Sequence, residues 1–455
     1  MIPPLGPKAG DRDRRRSRND GARARTSHVV MFCLSLVRTS GFVVTALCPP
    51  LPQQRPIPVR RTAMAATNDI LEGPPGSVAL EFYSGIGGLR VSLEKAAAAS
   101  GKSTAGDASA RIPAGHIASF EINSVANSVY EHNFPACKVT RRSIEHLSAE
   151  DLDAAAGAAA ADIWLLSPPC QPFCRVGNRR DEQDPRSTSF LHLLSLLESA
   201  ENPPSYFFLE NVQGFDGSQS HRRLLETLTG RGFDVEQYLL SPVQLGIPNT
   251  RLRYYCLASR RRTDGNGRVA PIEESLPRNS VLQPEETTVP LRPLSEFLDS
   301  SLTGEAAAPL LLSAKDTSHA NPSLRFDVVT TCSTETTTFT KGYAKHAGRA
   351  GPVVLLTDDG ERRVSKENLG RFPSGLDLGP GGREVRWFSD REMLRLHGFP
   401  EGFDFPAGLT QRQRCALVGN SVNVEVVALL LARLLFQGNS RGAVEKKVGG
   451  SAAAA

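Results

Sequence analysis

The sequence predicts an α/β protein built on a doubly wound, mostly parallel sheet. Three observations carry that expectation: short apolar runs of four to six residues, helix-patterned segments between them, and a glycine-rich turn directly after the first run. Alternation at this spacing makes successive strands parallel, because each helix carries the chain back to the edge it started from.

The first strand is expected at Val78–Phe82. It runs into Tyr83-Ser84-Gly85-Ile86-Gly87-Gly88, and helical patterning follows over Leu89–Ala98. Glycines let the backbone approach a ligand closely, and a helix N-terminus favours negative charge. A GxGG turn alone also serves as an ordinary tight turn. The second strand, Ile117–Glu121, sets a carboxylate where a doubly wound fold holds a ribose diol. It lies farther along the chain than is usual, an excess that the Ala- and Gly-rich piece 96–110 absorbs. Turn and carboxylate together point to an adenosyl cofactor. A helix is expected at Val125–Asn133, and a second Ala-rich piece, 154–161, lengthens the next connection.

The third strand, Ile163–Leu166, leads into Ser167-Pro168-Pro169-Cys170-Gln171-Pro172-Phe173. Each proline fixes its own φ and pushes the residue before it towards an extended shape, so the Cys170 thiol is aimed. The carboxyl edge of a parallel sheet is where open α/β folds keep their chemistry. An isolated Pro-Cys pair reads as a structural turn, and the rest of the chain decides. After a helix at Ser189–Ser199, the fourth strand, Tyr206–Leu209, ends in Glu210-Asn211-Val212. The Glu210 carboxyl emerges at the same edge as Cys170, where it can act as a general acid. A helix N-cap acid is its plainer reading. Beyond a helix at His221–Thr229 comes the strand Arg253–Ala258. Alternation points Arg251 and Arg253 to one face, which suits a phosphate or a base carbonyl, or a solvated edge.

From 263 to 385 the chain turns Pro-, Gly- and Thr-rich with short β-like runs, the pattern of a smaller, irregular domain inserted into the first. Helices at Ser389–His397 and Val424–Leu435 then complete the large domain. The expected organisation is an appendage at 1–75, the main domain at 76–262 and 386–437, the insert at 263–385, and a disordered tail at 438–455.

Charge is unevenly spread. Residues 1–63 hold 11 Arg and one Lys against three Asp, a net of +9, which leaves 41 basic and 45 acidic residues in 64–455. That body is no basic glove, so any polynucleotide contact must come from a local patch. The appendage reads as an organelle transit peptide or as an over-extended reading frame ahead of Met64, and less well as a signal peptide. The expected compartment is cytoplasm or nucleus, with organelle targeting by residues 1–63 as the alternative. The eight cysteines include no CxxC pair, which favours free thiols in a reduced compartment and no metal site. The apolar run Val29–Val37 is too short to span a bilayer, and no membrane association is expected.

The order GxGG, PPCQP, ENV, Arg251-x-Arg253 and Gly419-Asn420-Ser421-Val422-Asn423-Val424 resembles the cytosine-5 methyltransferases over about residues 77 to 437. Details resemble the branch that acts on cytosine 38 of aspartate tRNA. These are Glu81-x-Tyr83-Ser84-Gly85, Val125-Ala126-Asn127 with Asn133-Phe134-Pro135, Gly246-Ile247-Pro248-Asn249-Thr250-Arg251, and Phe339-Thr340-Lys341-Gly342-Tyr343.

The resemblance implies a Rossmann-like methyltransferase fold that uses S-adenosyl-L-methionine, with the insert as target-recognition domain. It implies that Cys170 adds to C6 of cytosine, that Glu210 holds N3 and the exocyclic amine, and that Arg251 and Arg253 hold O2 and favour the thiolate. Phe82, Tyr83, Ser84, Gly85, Gly87, Gly88, Glu121, Ile122, Ser143, Ile144, Pro168, Asn420, Ser421 and Val422 line the cofactor site by the same resemblance. Gln171, Phe339, Thr340, Lys341 and Tyr343 are the substrate candidates, with Lys345, His346 and Arg349 added from their clustering. The expected partner is tRNA, whose loop bases leave their stack at less cost than bases in a duplex, and the expected state is a monomer. Three departures stand out. Thr338 replaces the branch's cysteine before Phe339-Thr340, Cys174 replaces a threonine, and Ser143-Ile144 stands where many relatives have an aspartate. DNA methylation and a catalytically silent RNA-binding protein are the alternatives.

Overall fold

In the computed structural model of the protein the described residues are 78–100, 116–157, 160–170, 187–260, 267–277, 289–312, 327–344, 351–355 and 385–436. The expected appendage, the C-terminal tail and most of the 96–110 insertion lie outside them.

Seven strands form one sheet in the order β2-β1-β3-β4-β6-β5-β7. They are β1 Val78–Phe82, β2 His116–Phe120, β3 Ile163–Leu166, β4 Tyr206–Val212, β5 Phe233–Leu240, β6 Arg253–Arg260 and β7 Val269–Glu273. The first four pair in parallel, and β6 runs antiparallel between β4 and β5. The mostly parallel sheet is as expected. β5 was not foreseen, because its charged and polar positions (FDVEQYLL) hide a strand that is half-exposed at its start.

Helices cover both faces, and the strands divide their side chains between them with a period of two. One face buries Ala79, Ile163, Leu165, Phe208, Tyr255 and Leu257 under α1 (Gly88–Ser100) and the C-terminal helix. The other buries Leu80, Phe82, Trp164, Leu166, Phe207 and Leu209 beneath α4 (Thr188–Ser199) and α5 (Gln219–Gly230). Between these in sequence come α2 (Ser124–Asn133) and α3 (Ala149–Ala156). α3 occupies part of the stretch expected as a mere connection. Ser148 and Asp151 form a reciprocal capping box at its start, which the Ala-rich run then extends.

The later part of the chain begins with a short α6 (Gly304–Ala307) and contributes a three-stranded sheet, β10-β9-β8, from Val328–Val329 (β8), Val353–Leu355 (β9) and Val385–Arg386 (β10). Its core joins Val328, Val353 and Val385 to Phe339, Tyr343, Trp387 and Phe388. Then come α7 (Asp390–Leu396), α8 (Gln411–Gly419) and α9 (Val424–Phe436). The stretch 411–436 is apolar and long enough to cross a membrane by length and composition, yet most of it is buried inside the protein, as in a core helix.

Candidate active site

Parallel register brings four strands level at one edge: Phe82 lies beside Phe120 and Leu166, where β1, β2 and β3 end, and Leu166 lies beside Leu209 of β4. The residues that follow each strand therefore share one edge. Because β6 is antiparallel, its first residue, Arg253, arrives at that edge too, opposite Val212.

β4 continues past Leu209, so Glu210 and Asn211 are strand residues whose side chains leave opposite sides of the sheet. Glu210 is nearly buried. Ser167 Oγ donates to its Oε2 at 3.1 Å, and Arg253 Nε lies 3.4 Å from Oε1. Asn211, also buried, donates its Nδ2 to the Pro168 carbonyl at 3.3 Å. The Glu-Asn pair thus grips two successive residues of the turn that carries Cys170. Cys170 itself is half-buried, and Arg251 interacts electrostatically with Cys170, Glu210 and Arg253.

The strand alternation expected to set Arg251 and Arg253 on one face does not reach Arg251. The strand starts only at Arg253, because residues 248–251 give their polar groups to residues 336–339 instead of to a neighbouring strand. Arg251 is 3% exposed and donates Nη1 to the carbonyls of Phe339 (3.0 Å) and Gly419 (3.4 Å) and Nη2 to that of Ser421 (2.6 Å). Burial, with the like charge of Arg253, pushes the Arg251 guanidinium down to about 9, so it stays charged at neutral pH. Its Nη1 and Nη2 are bonded to the protein's own backbone, and its buried Nε has no hydrogen-bond partner among the described residues. Of the two arginines only Arg253 touches Glu210.

The turn after β1 is tightly built. Tyr83 adopts φ 58° and Gly85 φ 55°, and the Tyr83 hydroxyl donates to Ser189 Oγ at 3.0 Å. A Cβ on Gly88 would come within 2.7 Å of Ser421 Oγ and 2.8 Å of Val422 Cγ2, so the glycine lets the C-terminal motif close against the first one. Glu121 Oε2 accepts from the Gly85 N–H at 3.1 Å and Oε1 from the Asn123 N–H at 2.8 Å. Beside it the apolar Ile122 is 66% exposed, and the buried Ser84 Oγ has no hydrogen-bond partner among the described residues. Phe82 is fully buried, stacked on Phe120 with ring centroids 5.0 Å apart. Asn420 is exposed at the end of α8.

Some expected residues have other positions. Ile144 is buried with Phe120 and Leu147 in the core, leaving Ser143 as the accessible member of that pair. Phe339 and Tyr343 were expected to meet substrate, but both are fully buried, their rings edge-on at 5.1 Å. The Tyr343 hydroxyl donates to the Pro352 carbonyl and accepts from the Phe388 N–H, so both side chains are scaffold. Thr340 and Lys341 between them are exposed. Gln171, Cys174, Lys345, His346 and Arg349 lie outside the described residues.

Other residues were not singled out from the sequence. Ser167 and Asn211 lie within the Ser-Pro-Pro-Cys and Glu-Asn-Val motifs, whose pattern assigns them no role. Glu81 is a marker of the branch, and an acid in an otherwise apolar strand is itself a signal. Its buried carboxylate accepts from the Tyr130 hydroxyl (2.8 Å), Ser119 Oγ (3.1 Å) and the Arg90 N–H (3.1 Å). The contacts of Asn249 with Thr336 and Thr337 had no local signal, since the partners are 87 and 88 residues apart.

Residues 78–435 match the family described as C-5 cytosine-specific DNA methylase. A mouse (Mus musculus) tRNA (cytosine(38)-C(5))-methyltransferase is 32% identical over 407 residues, covering 78% of this chain and 92% of that protein. A Dictyostelium discoideum DNA (cytosine-5)-methyltransferase is 32% identical over 396 residues, with coverage of 78% and 93%. Among solved structures, the S. pombe Dnmt2 methyltransferase is similar with a TM-score of 0.61 and 27% identity, over 80% of this chain and 99% of its own.

Proposed function

Because this chain belongs to the C-5 cytosine-specific DNA methylase family, we propose that it methylates C5 of a cytosine in tRNA, with S-adenosyl-L-methionine as donor. Cytosine 38 of aspartate tRNA is the proposed target. The observation that carries the reading is the bracketing of Glu210 by Ser167 and Arg253, on the same turn and edge as Cys170. A site that must hold the edge of a cytosine needs a fixed carboxyl, a cation beside it and a thiol within reach.

The residues after β1 and β2 fit an adenosyl group. Glu121 keeps free lone pairs for a ribose diol after accepting two backbone N–H groups, Ile122 offers an apolar face to a ring, and Ser84 brings an unspent hydroxyl. The donor supplies an electrophilic methyl group, which the electron-rich C5 takes as the donor's carbon–sulfur bond breaks and leaves a neutral thioether. The Cys170 sulfur bonds to C6 and drives the ring's C5–C6 electron pair towards C5. Glu210 holds N3 and the exocyclic amine, which take up the displaced charge, and Arg253 steadies Glu210 and the O2 side. Loss of the C5 proton then returns an electron pair to the ring, the C6–S bond breaks, and Cys170 is released as thiolate.

The test offers labelled S-adenosylmethionine with total tRNA and duplex DNA to the full chain, alongside Cys170→Ala. Label in tRNA that disappears with Cys170→Ala is expected. Duplex DNA has a specific ground as the second reading, because the Dictyostelium relative named for DNA is as similar as the mouse protein named for tRNA. Label in DNA alone selects it, and label in neither would leave binding without transfer.

A further inference from the structure

Residues 336–339 and 248–251 are fastened side by side. Asn249 Nδ2 donates to Thr336 Oγ1 (3.0 Å) and to the Thr337 carbonyl (3.0 Å), and Thr336 Oγ1 donates to the Pro248 carbonyl (2.8 Å). The Thr250 N–H donates to the Thr336 carbonyl (2.8 Å), and Arg251 Nη1 to that of Phe339 (3.0 Å). The last contact of this seam is Thr338 Oγ1 donating to the Thr250 carbonyl at 2.6 Å. Thr250 is exposed and leads directly into Arg251 and Arg253. Unlike the buried Thr336, Thr338 is only half-buried, so its bond to Thr250 lies where water competes and where packing does least to hold the chain.

We propose that Thr338 is a positioning residue for the methyl transfer described above. Its hydroxyl fixes the Thr250 carbonyl and thereby the placement of Arg251 and of Arg253, the arginine that touches Glu210. The inference rests on that functional reading for its kinetic effect but not for its structural one. It also gives the departure at Thr338 a purpose, since a hydroxyl donates to a carbonyl more strongly than a thiol does. The hydrogen bond stabilises the fold little. Its weight lies in geometry, because small displacements of groups that hold a reacting base reduce turnover steeply.

The test compares Thr338→Val, which keeps the shape and removes the donor, with Thr338→Ser, which keeps the donor. In the full chain, Thr338→Val is expected to lower kcat on tRNA about tenfold while leaving S-adenosylmethionine affinity and the thermal midpoint unchanged. Thr338→Ser should stay within about twofold of the wild type on both counts. Amide exchange over Thr250–Arg253, measured on the same proteins without substrate, should quicken in Thr338→Val and not in Thr338→Ser. A wild type that methylates DNA or nothing fells the tRNA reading alone, because the exchange comparison still decides the role of Thr338. The inference is overturned if exchange in Thr338→Val matches the wild type, or if Thr338→Ser is as altered as Thr338→Val.

Discussion

Two buried arginines treat their charge in opposite ways. Arg386, on β10, is 1% exposed and meets the fully buried Glu392 of α7 through two bonds, of 2.7 and 2.8 Å. Glu392 also accepts the N–H groups of Asp299 and Ser389, each at 2.8 Å, so the pair is neutral overall and its acceptors are filled. Arg251 is also buried, but its Nη1 and Nη2 donate only to neutral carbonyls. Its charge therefore stays uncancelled and acts on Cys170 and Glu210. A buried cation that brings its own counter-ion is architecture. One that does not sets the field of a site.

The sharpest break of this comparison is Glu392→Ala. It strands the Arg386 guanidinium among Tyr343, Trp387 and Phe388, and removing one partner of a buried pair costs about 3–5 kcal/mol. Replacing both, as Arg386→Met with Glu392→Leu, should recover most of that loss, because no charge is then left without a partner. Guanidinium denaturation measures both. A loss below about 1 kcal/mol for the single variant would mean that water reaches the pair, and the neutral-pair argument would fail.

Glu81 extends the comparison to a buried acid whose partners are mainly hydroxyls. Burial pushes its carboxyl up to about 7, opposed by the Tyr130 hydroxyl and the charge of Arg90. Below about pH 4.5 the group is protonated in both the folded and the unfolded chain. As pH rises towards 7 the unfolded chain releases the proton and the folded one keeps it. Stability from this group is thus complete at low pH and is lost on the way up, by on the order of 3 kcal/mol. Glu81→Gln keeps an acceptor for the Arg90 N–H and cannot ionise. The difference in unfolding free energy between variant and wild type should therefore grow in favour of the variant from pH 5 to pH 7.5. A difference that stays flat across that range would show that the folded carboxyl is not raised.

Arg251→Met should cost less stability than Glu392→Ala, about 1–3 kcal/mol, since it leaves carbonyls rather than a charge without partners. Its larger mark should fall on turnover. With the field on Cys170 and Glu210 removed, kcat is expected to drop by about 100-fold at a temperature where the variant is fully folded. Arg251→Lys, which restores charge without the planar fork, should recover only part of it. Single-turnover transfer by the three proteins checks the order, and an Arg251→Met variant as fast as the wild type would make this arginine architecture too.

Most of the sheet was legible because its strands are apolar runs between helices. Val78–Phe82 and Ile163–Leu166 were expected with the bounds they have. The candidate edge was legible for the same reason, since Cys170 lies just past β3 and Glu210 lies one residue past the β4 position level with the end of β3, although β4 itself runs on to Val212. The role of Arg251 was not. Alternation along a strand assigns a face only if the strand exists there, and what removes residues 248–251 from the sheet is a set of hydrogen bonds to a segment more than 80 residues away. Phe339 and Tyr343 misled for a related reason. Motif spacing locates a segment, but it does not tell an aromatic ring that meets a ligand from one that anchors the segment in the core.

The smallest effect supplies the comparison's zero. Arg223 Nη2 lies 2.7 Å from Glu198 Oε2, the same separation as Arg386 from Glu392, but the two side chains are 43% and 35% exposed. Water solvates both charges before and after the contact, so the Coulomb gain is weak and the entropy of holding two long side chains offsets it. Arg223→Ala should change stability by no more than about 0.5 kcal/mol, and raising the salt concentration should erase even that. Denaturation at low and high salt measures it directly. If this exposed pair proved worth as much as the buried one, distance rather than solvent exclusion would govern a charge's effect in this protein. Arg251, with no acid at that distance among the described residues, would then have no claim on the site.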